Sequence, residues 1–146
     1  MKSFIYLTLL LLATSITCAA SSRPLFPKID NVLILNDKTW EEAIRVIPRL
    51  VIKYYAPWCG FCKLLAPEFT KAANSPEMKE LDVTFASIDV DFNRDTLKKV
   101  GIYGFPVIKY YENGTIDGSY GGGRTSKDMI DYFVKKLNKT STSTSS

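Results

Sequence analysis

Two rhythms of apolar residues divide this chain. Short β-type runs occur at Val32-Leu33-Ile34-Leu35, Leu50 to Tyr55, Val83 to Asp89, Pro106 to Tyr111 and Thr115 to Tyr120. Between them, apolar residues recur at helical spacing: Trp40, Ala43, Ile44 and Ile47, then Cys62, Leu65, Ala66, Phe69 and Ala73, and finally Ile130, Phe133, Val134 and Leu137. A further helix is predicted from Asn93 to about Val100. The punctuation agrees with this division. Thr39 with Glu42 fits a capping box, Pro48 ends the first helix, and Gly101 stops another. Asn113-Gly114 is a hairpin turn, Gly121-Gly122-Gly123 breaks the chain, and Thr125 or Ser126 caps the last helix. Pro67 falls inside the second helix and is expected to kink it. The order βαβαβαββα implies an α/β domain whose sheet has parallel pairs and an antiparallel terminal hairpin.

The segment Trp58-Cys59-Gly60-Phe61-Cys62-Lys63 lies where a strand feeds directly into a helix. Cys59 then sits at the helix start, where unpaired N–H groups and the positive end of the dipole favour a thiolate. Cys62, three residues on, faces the same side and can close a disulfide with it. So small a loop adds little stability by restricting the unfolded chain, so the pair serves chemistry. The competing role for such a pair is half of a zinc site. Zinc wants four Cys or His ligands, and the sequence contains no histidine, so no metal is expected.

Composition adds a compartment. Lys2, the apolar run Phe4 to Leu12 and the small residues Ala13 to Ala20 read as a secretory signal peptide over residues 1–20, cleaved before Ser21. Its removal takes Cys18 away and leaves Cys59 and Cys62 in an oxidising environment where disulfides abound. No other segment approaches membrane-spanning length, so no membrane partner is expected after cleavage. The net charge of +4 is spread along the chain, which argues against nucleic acid. Residues 21–138 are expected to form one domain, with a lead-in through Pro24 and Pro27, and residues 139–146 a disordered Ser/Thr-rich tail. Sequons at Asn113 and Asn138 are glycosylation candidates, Asn138 the better for lying at the start of the tail. Tyr54, Tyr55, Tyr110 and Tyr111 read as core and sheet faces.

Tyr55-Ala56-Pro57-Trp58-Cys59-Gly60-Phe61-Cys62-Lys63 followed by Leu65-Ala66-Pro67-Glu68 closely resembles a thioredoxin-like domain of protein disulfide isomerases. Gly104-Phe105-Pro106 is similar to that family's cis-proline loop, and Tyr120 with Gly123-Arg124-Thr125 to its C-terminal signature. The resemblance covers about residues 29–138. It implies a thioredoxin fold, a five-stranded mixed sheet flanked by four helices, with Pro106 cis beside the cysteines. It further implies a monomeric thiol–disulfide oxidoreductase. Cys59 is the nucleophile, Cys62 resolves, and Trp58, Gly60, Phe61, Phe105 and Pro106 line the substrate groove. The partners implied are cysteine-containing proteins and glutathione or another dithiol, with no cofactor. The alternative is a thioredoxin-fold binding or chaperone module with weak or no turnover.

Several positions depart from the family pattern. Phe61 replaces the usual histidine, so a cation beside Cys59 is missing and a less oxidising disulfide is expected. Lys53 stands where the family has a buried acid that exchanges protons with the second cysteine, and Ser87 and Tyr103 where it often has a lysine and an arginine. Lys53 either snorkels out of its strand, the simpler reading, or stays desolvated, where it shuttles the Cys62 proton or stabilises a thiolate by its charge. The location is the secretory pathway. Ser143-Thr144-Ser145-Ser146 is not a Lys-Asp-Glu-Leu address, which leaves the endoplasmic reticulum lumen and secretion both open.

Overall fold

The structure, a computed structural model, describes residues 26–142, with side chains through Lys139. Residues 1–20, expected to be a signal peptide, and with them Cys18, therefore lie outside the described residues. Six strands form one sheet: β1 (Lys28–Ile29), β2 (Val32–Leu35), β3 (Arg49–Tyr55), β4 (Thr84–Asp89), β5 (Val107–Glu112) and β6 (Thr115–Ser119). Their spatial order is β1-β2-β4-β3-β5-β6. β4 runs parallel to both β2 and β3, while β1, β5 and β6 add antiparallel pairings. Five helices accompany them: α1 (Trp40–Val46), α2 (Gly60–Asn74), α3 (Pro76–Glu80), α4 (Arg94–Val100) and α5 (Ser126–Thr142).

β3 is central, and its side chains divide between two cores. Leu50, Ile52 and Tyr54 pack with Trp40, Ala43 and Ile44 of α1 on one face. Val51 packs with Leu65 and Phe69 of α2, Met78 of α3 and Phe133 of α5 on the other. A strand covered on both faces reads as a continuous apolar run, which is how 50–55 reads. The expected turns are present. Asn113 and Gly114 both have positive φ, at 49° and 83°, and Gly101 is left-handed where α4 ends. The Phe105–Pro106 bond is cis.

The sheet has one strand more than expected, and there is one helix more. β1 pairs back on β2 across Asp30 and Asn31, both at positive φ. The polar pair turns the chain where the prolines suggested only a lead-in. α3 is a separate turn begun by Ser75, whose hydroxyl accepts the Met78 N–H at 3.3 Å, with Pro76 at its first position. The Thr39–Glu42 capping box does not form. The Thr39 hydroxyl instead accepts the Asn36 N–H at 3.0 Å, closing the preceding turn. α2 runs through Pro67 without interruption. α5 continues to Thr142, so Asn138 is helical rather than at the start of a tail. The Thr125 hydroxyl does cap α5, accepting the Asp128 N–H at 3.2 Å while Asp128 Oδ2 accepts the Thr125 N–H at 3.2 Å.

Candidate active site

Cys59 caps α2. Its backbone is extended, at φ −77° and ψ 114°, and its sulfur accepts the Cys62 N–H at 3.3 Å. It also lies 3.7 Å from the Phe105 carbonyl, so the cis-proline loop touches the sulfur directly. Both cysteines are thiols. Cys59 lies at the edge of the molecule under a thin cover, 7% exposed, while Cys62 lies deeper at 3%. That difference sets their acidities apart. A hydrogen bond from the Cys62 thiol, above all, lowers the Cys59 pKa; the N–H groups of Cys62 and Phe61 and the charge of Arg124 act in the same direction, against partial burial. Burial foremost, then the bond to Cys59, pushes Cys62 up to about 11. The attacking thiol is thus the more acidic and the nearer to solvent, as exchange requires.

Trp58 is exposed and meets Phe105 edge-on at 6.1 Å between ring centroids. Phe61 is 60% exposed, and Pro106 is half-buried beside the pair's loop. Gly60 opens α2 with empty space around any added Cβ, so packing does not dictate glycine there. Asn113 lies at the far end of β5 and Asn138 on the exposed side of α5, both apart from the cysteines.

Lys53 does not snorkel. It is 7% exposed, because β3 is flanked by β4 and β5 and roofed by α2, leaving the side chain no route to water. Its ammonium lies 4.9 Å from the Phe69 ring centroid and 5.2 Å from that of Tyr55. Desolvation lowers its pKa, and the charge of Cys62 raises it in part. Lys53 pairs in register with Ser87 on β4, which is also buried but carries no charge. Tyr103 is 99% exposed and brings no positive charge where the family pattern often has an arginine.

One cation escaped the sequence reading. The Arg124 guanidinium stacks on Phe61, 4.8 Å from the ring centroid, and its charge favours the Cys59 thiolate. The expected deficit of positive charge at Phe61 is therefore partly filled from the segment before α5. The only signal in the sequence was the Gly123-Arg124-Thr125 signature, which carries no indication of where the side chain lands.

The thioredoxin family model matches residues 31–136. A probable protein disulfide-isomerase ER-60 of Schistosoma mansoni is 35% identical over 111 residues, which cover 76% of this chain and 23% of that protein. A protein disulfide isomerase-like 1-2 of Oryza sativa is 38% identical over 109 residues, covering 73% of this chain and 21% of that protein. The chain thus spans about a fifth to a quarter of these relatives. Among solved structures, the first thioredoxin domain of mouse protein disulfide-isomerase A4 superposes with a TM-score of 0.67 at 26% identity, covering 85% of this chain and 87% of that domain. The zinc-bound form of human ERp44 gives 0.68 at 26% identity, covering 73% and 32%.

Proposed function

The chain belongs to the thioredoxin family, and from that premise we propose that it is a thiol–disulfide oxidoreductase acting on cysteines of other proteins in the secretory pathway. The observation that carries the reading is the placement of the two thiols: Cys59 caps the start of α2 against the Phe105 carbonyl of the cis-proline loop, and Cys62 lies deeper, one turn on, with its N–H on the Cys59 sulfur. Cys59 thiolate attacks a substrate disulfide; a Cys59–substrate bond forms, and one substrate thiolate leaves with the electron pair. Cys62 then loses its proton and attacks the Cys59 sulfur. The Cys59–Cys62 disulfide forms, the mixed disulfide breaks, and the second substrate thiolate departs. The protein is oxidised and the substrate reduced; the reverse sequence forms a disulfide in the substrate.

Lys53 serves this second step. It is buried beneath α2 and electrostatically linked to Cys62, and its positive charge favours the Cys62 thiolate that this step must form. The half-buried Pro106 and Phe105, with exposed Trp58 and Phe61, present the surface on which a substrate chain lies. Glutathione or another dithiol resets the pair. The secretory assignment rests on the leader-like residues 1–20, and Asn113 at an exposed turn is now the better-presented glycosylation candidate.

Equilibration of the pair with glutathione tests the proposal. A potential near roughly −180 mV marks an isomerase-like protein, and one near about −270 mV a thioredoxin-like reductant. Cys62→Ser should trap a mixed disulfide through Cys59. A wild-type pair that never exchanges would leave a binding module in place of an enzyme.

A further inference from the structure

Arg124 reaches Phe61, between the two cysteines in sequence, from a glycine-rich segment before α5. Gly121, Gly122 and Gly123 precede it, and glycine backbone loses the most freedom on being fixed. Local contacts shape the segment. The Tyr120 hydroxyl donates to the Gly123 carbonyl at 2.7 Å, and Thr125 and Asp128 cap each other. A Cβ at Gly123 would overlap the Asp128 carboxylate, so the close approach needs glycine. These contacts give the segment a shape but do not tie it to the helix that carries the cysteines.

Glu68 does. Its Oε2 accepts both the Ser126 N–H at 2.8 Å and the Ser126 hydroxyl at 2.9 Å, so a carboxylate of α2 caps the first turn of α5 from outside. Phe61 and Glu68 are seven residues apart on α2, two turns, and therefore on one stripe about 10.5 Å along the axis. Arg124 and Ser126 meet that stripe at its two ends, one on Phe61 and one on Glu68. We propose that Glu68 is a positioning residue of the redox centre: by holding the start of α5, it places Arg124 over Phe61 beside Cys59.

The carboxylate is suited to the task because it stays charged. Its ion pair with Lys71, then the N–H and hydroxyl of Ser126, pull its pKa to about 2. The charged or titratable groups facing this region include Cys59 and Cys62, Arg124, Glu68 with Lys71, Asp128 with Lys127 on α5, and Lys53 beneath α2. Two routes from Glu68 to Cys59 then predict opposite signs. Acting by its own negative charge, Glu68 would disfavour the thiolate, and removing it would help. Acting by holding Arg124, it favours the thiolate, and removing it harms.

The inference rests on the oxidoreductase reading, and the experiment separates the two. In the reduced full chain, the Cys59 thiolate is titrated by its ultraviolet absorption, and its alkylation by iodoacetamide is timed across pH. This is done for wild type, Glu68→Ala, Arg124→Ala and the double variant. Glu68→Ala should lower the thiolate fraction at neutral pH by roughly threefold, the scale of one partly solvated charge. Arg124→Ala should lower it at least as much, and the double variant no further than Arg124→Ala alone. An increase, no change, or additive losses in the double variant overturn the positioning role. Ser126→Ala removes one of the two bonds to Glu68 and should shift the titration the same way by less; it keeps the question open to test if Glu68→Ala fails to fold. A wild-type pair that does not exchange with glutathione sinks the functional reading itself, whereas a reactive wild type with an unaltered Glu68→Ala sinks only this inference.

Discussion

Replacing Lys53 by methionine isolates the charge of this side chain from its bulk. The unbranched thioether fills much the same space between β3 and α2, so the ammonium is what is lost. In the wild type that ammonium has left water without gaining a hydrogen bond or ion pair among the described residues, and burying an ion costs several kcal/mol in effect. The faces of Phe69 and Tyr55 return on the order of 1–2 kcal/mol each. The balance is about 1–2 kcal/mol against folding, so Lys53→Met should stabilise the disulfide form by that amount. The dithiol form differs because it offers a thiolate. The attraction between a buried cation and a nearby thiolate, at an effective dielectric of about 20, is worth roughly 2–3 kcal/mol. About half of that applies here, since the more acidic Cys59 rather than Cys62 holds the negative charge. Lys53 therefore favours the dithiol by about 1.4 kcal/mol, which makes the pair about 30 mV more oxidising than it would otherwise be.

The assay is urea unfolding of both redox forms, together with the glutathione equilibrium. Lys53→Met should raise the unfolding midpoint clearly in the disulfide form and little in the dithiol form, and its potential should fall by about 30 mV. The pH dependence has a definite sign. The folded-state pKa of Lys53 lies below its unfolded value, so between the two the unfolded chain binds more protons. Stability of the disulfide form then rises with pH across that window, up to the ordinary lysine value of about 10.4, and falls as pH drops through the folded pKa. Lys53→Met should flatten this slope. Equal stabilisation of both redox forms, or an unchanged potential, would refute the linkage between Lys53 and the cysteines.

Other substitutions test separate parts of the structure. Phe61→His adds a second cation beside Cys59 under acid conditions, so the glutathione equilibrium should move toward a more oxidising pair as pH falls through the histidine range of about 6.5. Asp37 accepts the Thr96 N–H at 2.8 Å and the Thr96 hydroxyl at 2.6 Å; Asp37→Ala should cost about 1–2 kcal/mol by urea unfolding. The Thr96 hydroxyl foremost holds Asp37 below its ordinary carboxylate value, so this contribution is full above the unfolded pKa of about 3.9 and fades as pH falls through the folded one. The buried Tyr110 hydroxyl has no hydrogen-bond partner among the described residues, whereas those of Tyr54 and Tyr111 lie 2.7 Å apart. Tyr110→Phe should therefore be neutral or stabilising, while Tyr54→Phe should cost about 1–3 kcal/mol in the same assay.

What could be read from the sequence was whatever depends on near neighbours. The strand-to-helix junction at Cys59, the Asn113-Gly114 hairpin and the stop at Gly101 each follow from a few adjacent residues, and all three stand in the structure. β1 escaped because two residues carry no periodicity and its turn uses Asp30-Asn31 rather than a glycine pair. The Thr39 capping box failed for a local reason of another kind: Asn36 competes for the same hydroxyl. Asn138 was misplaced because Ser and Thr in a helix's last turns resemble a tail when α5's packing on α2 is unseen. Lys53 was misread because snorkelling depends on what lies over the strand, which its own sequence does not state.

Those last cases share a cause that bears on the chemistry. The sequence around the cysteines has phenylalanine at 61 and lysine at 53, with no histidine or acid at either place, and judged locally that leaves the thiols poorly served. In three dimensions the charges are redistributed rather than absent. Arg124 comes from the start of α5 to the rim near Cys59, and Lys53 comes from the centre of the sheet to the floor near Cys62. Both are cations, so both favour the thiolate forms and hence the dithiol over the disulfide. The pair should then be more oxidising than Phe61 alone implies. The two contributions differ in how they can be altered: Arg124 depends on an exposed, glycine-rich segment held at Glu68, while Lys53 is fixed by the packing of β3 against α2. Solvent and salt reach the first and not the second. Raising ionic strength should therefore weaken the acidity of Cys59 that Arg124 supplies, while leaving the stabilising effect of Lys53→Met on the disulfide form in place.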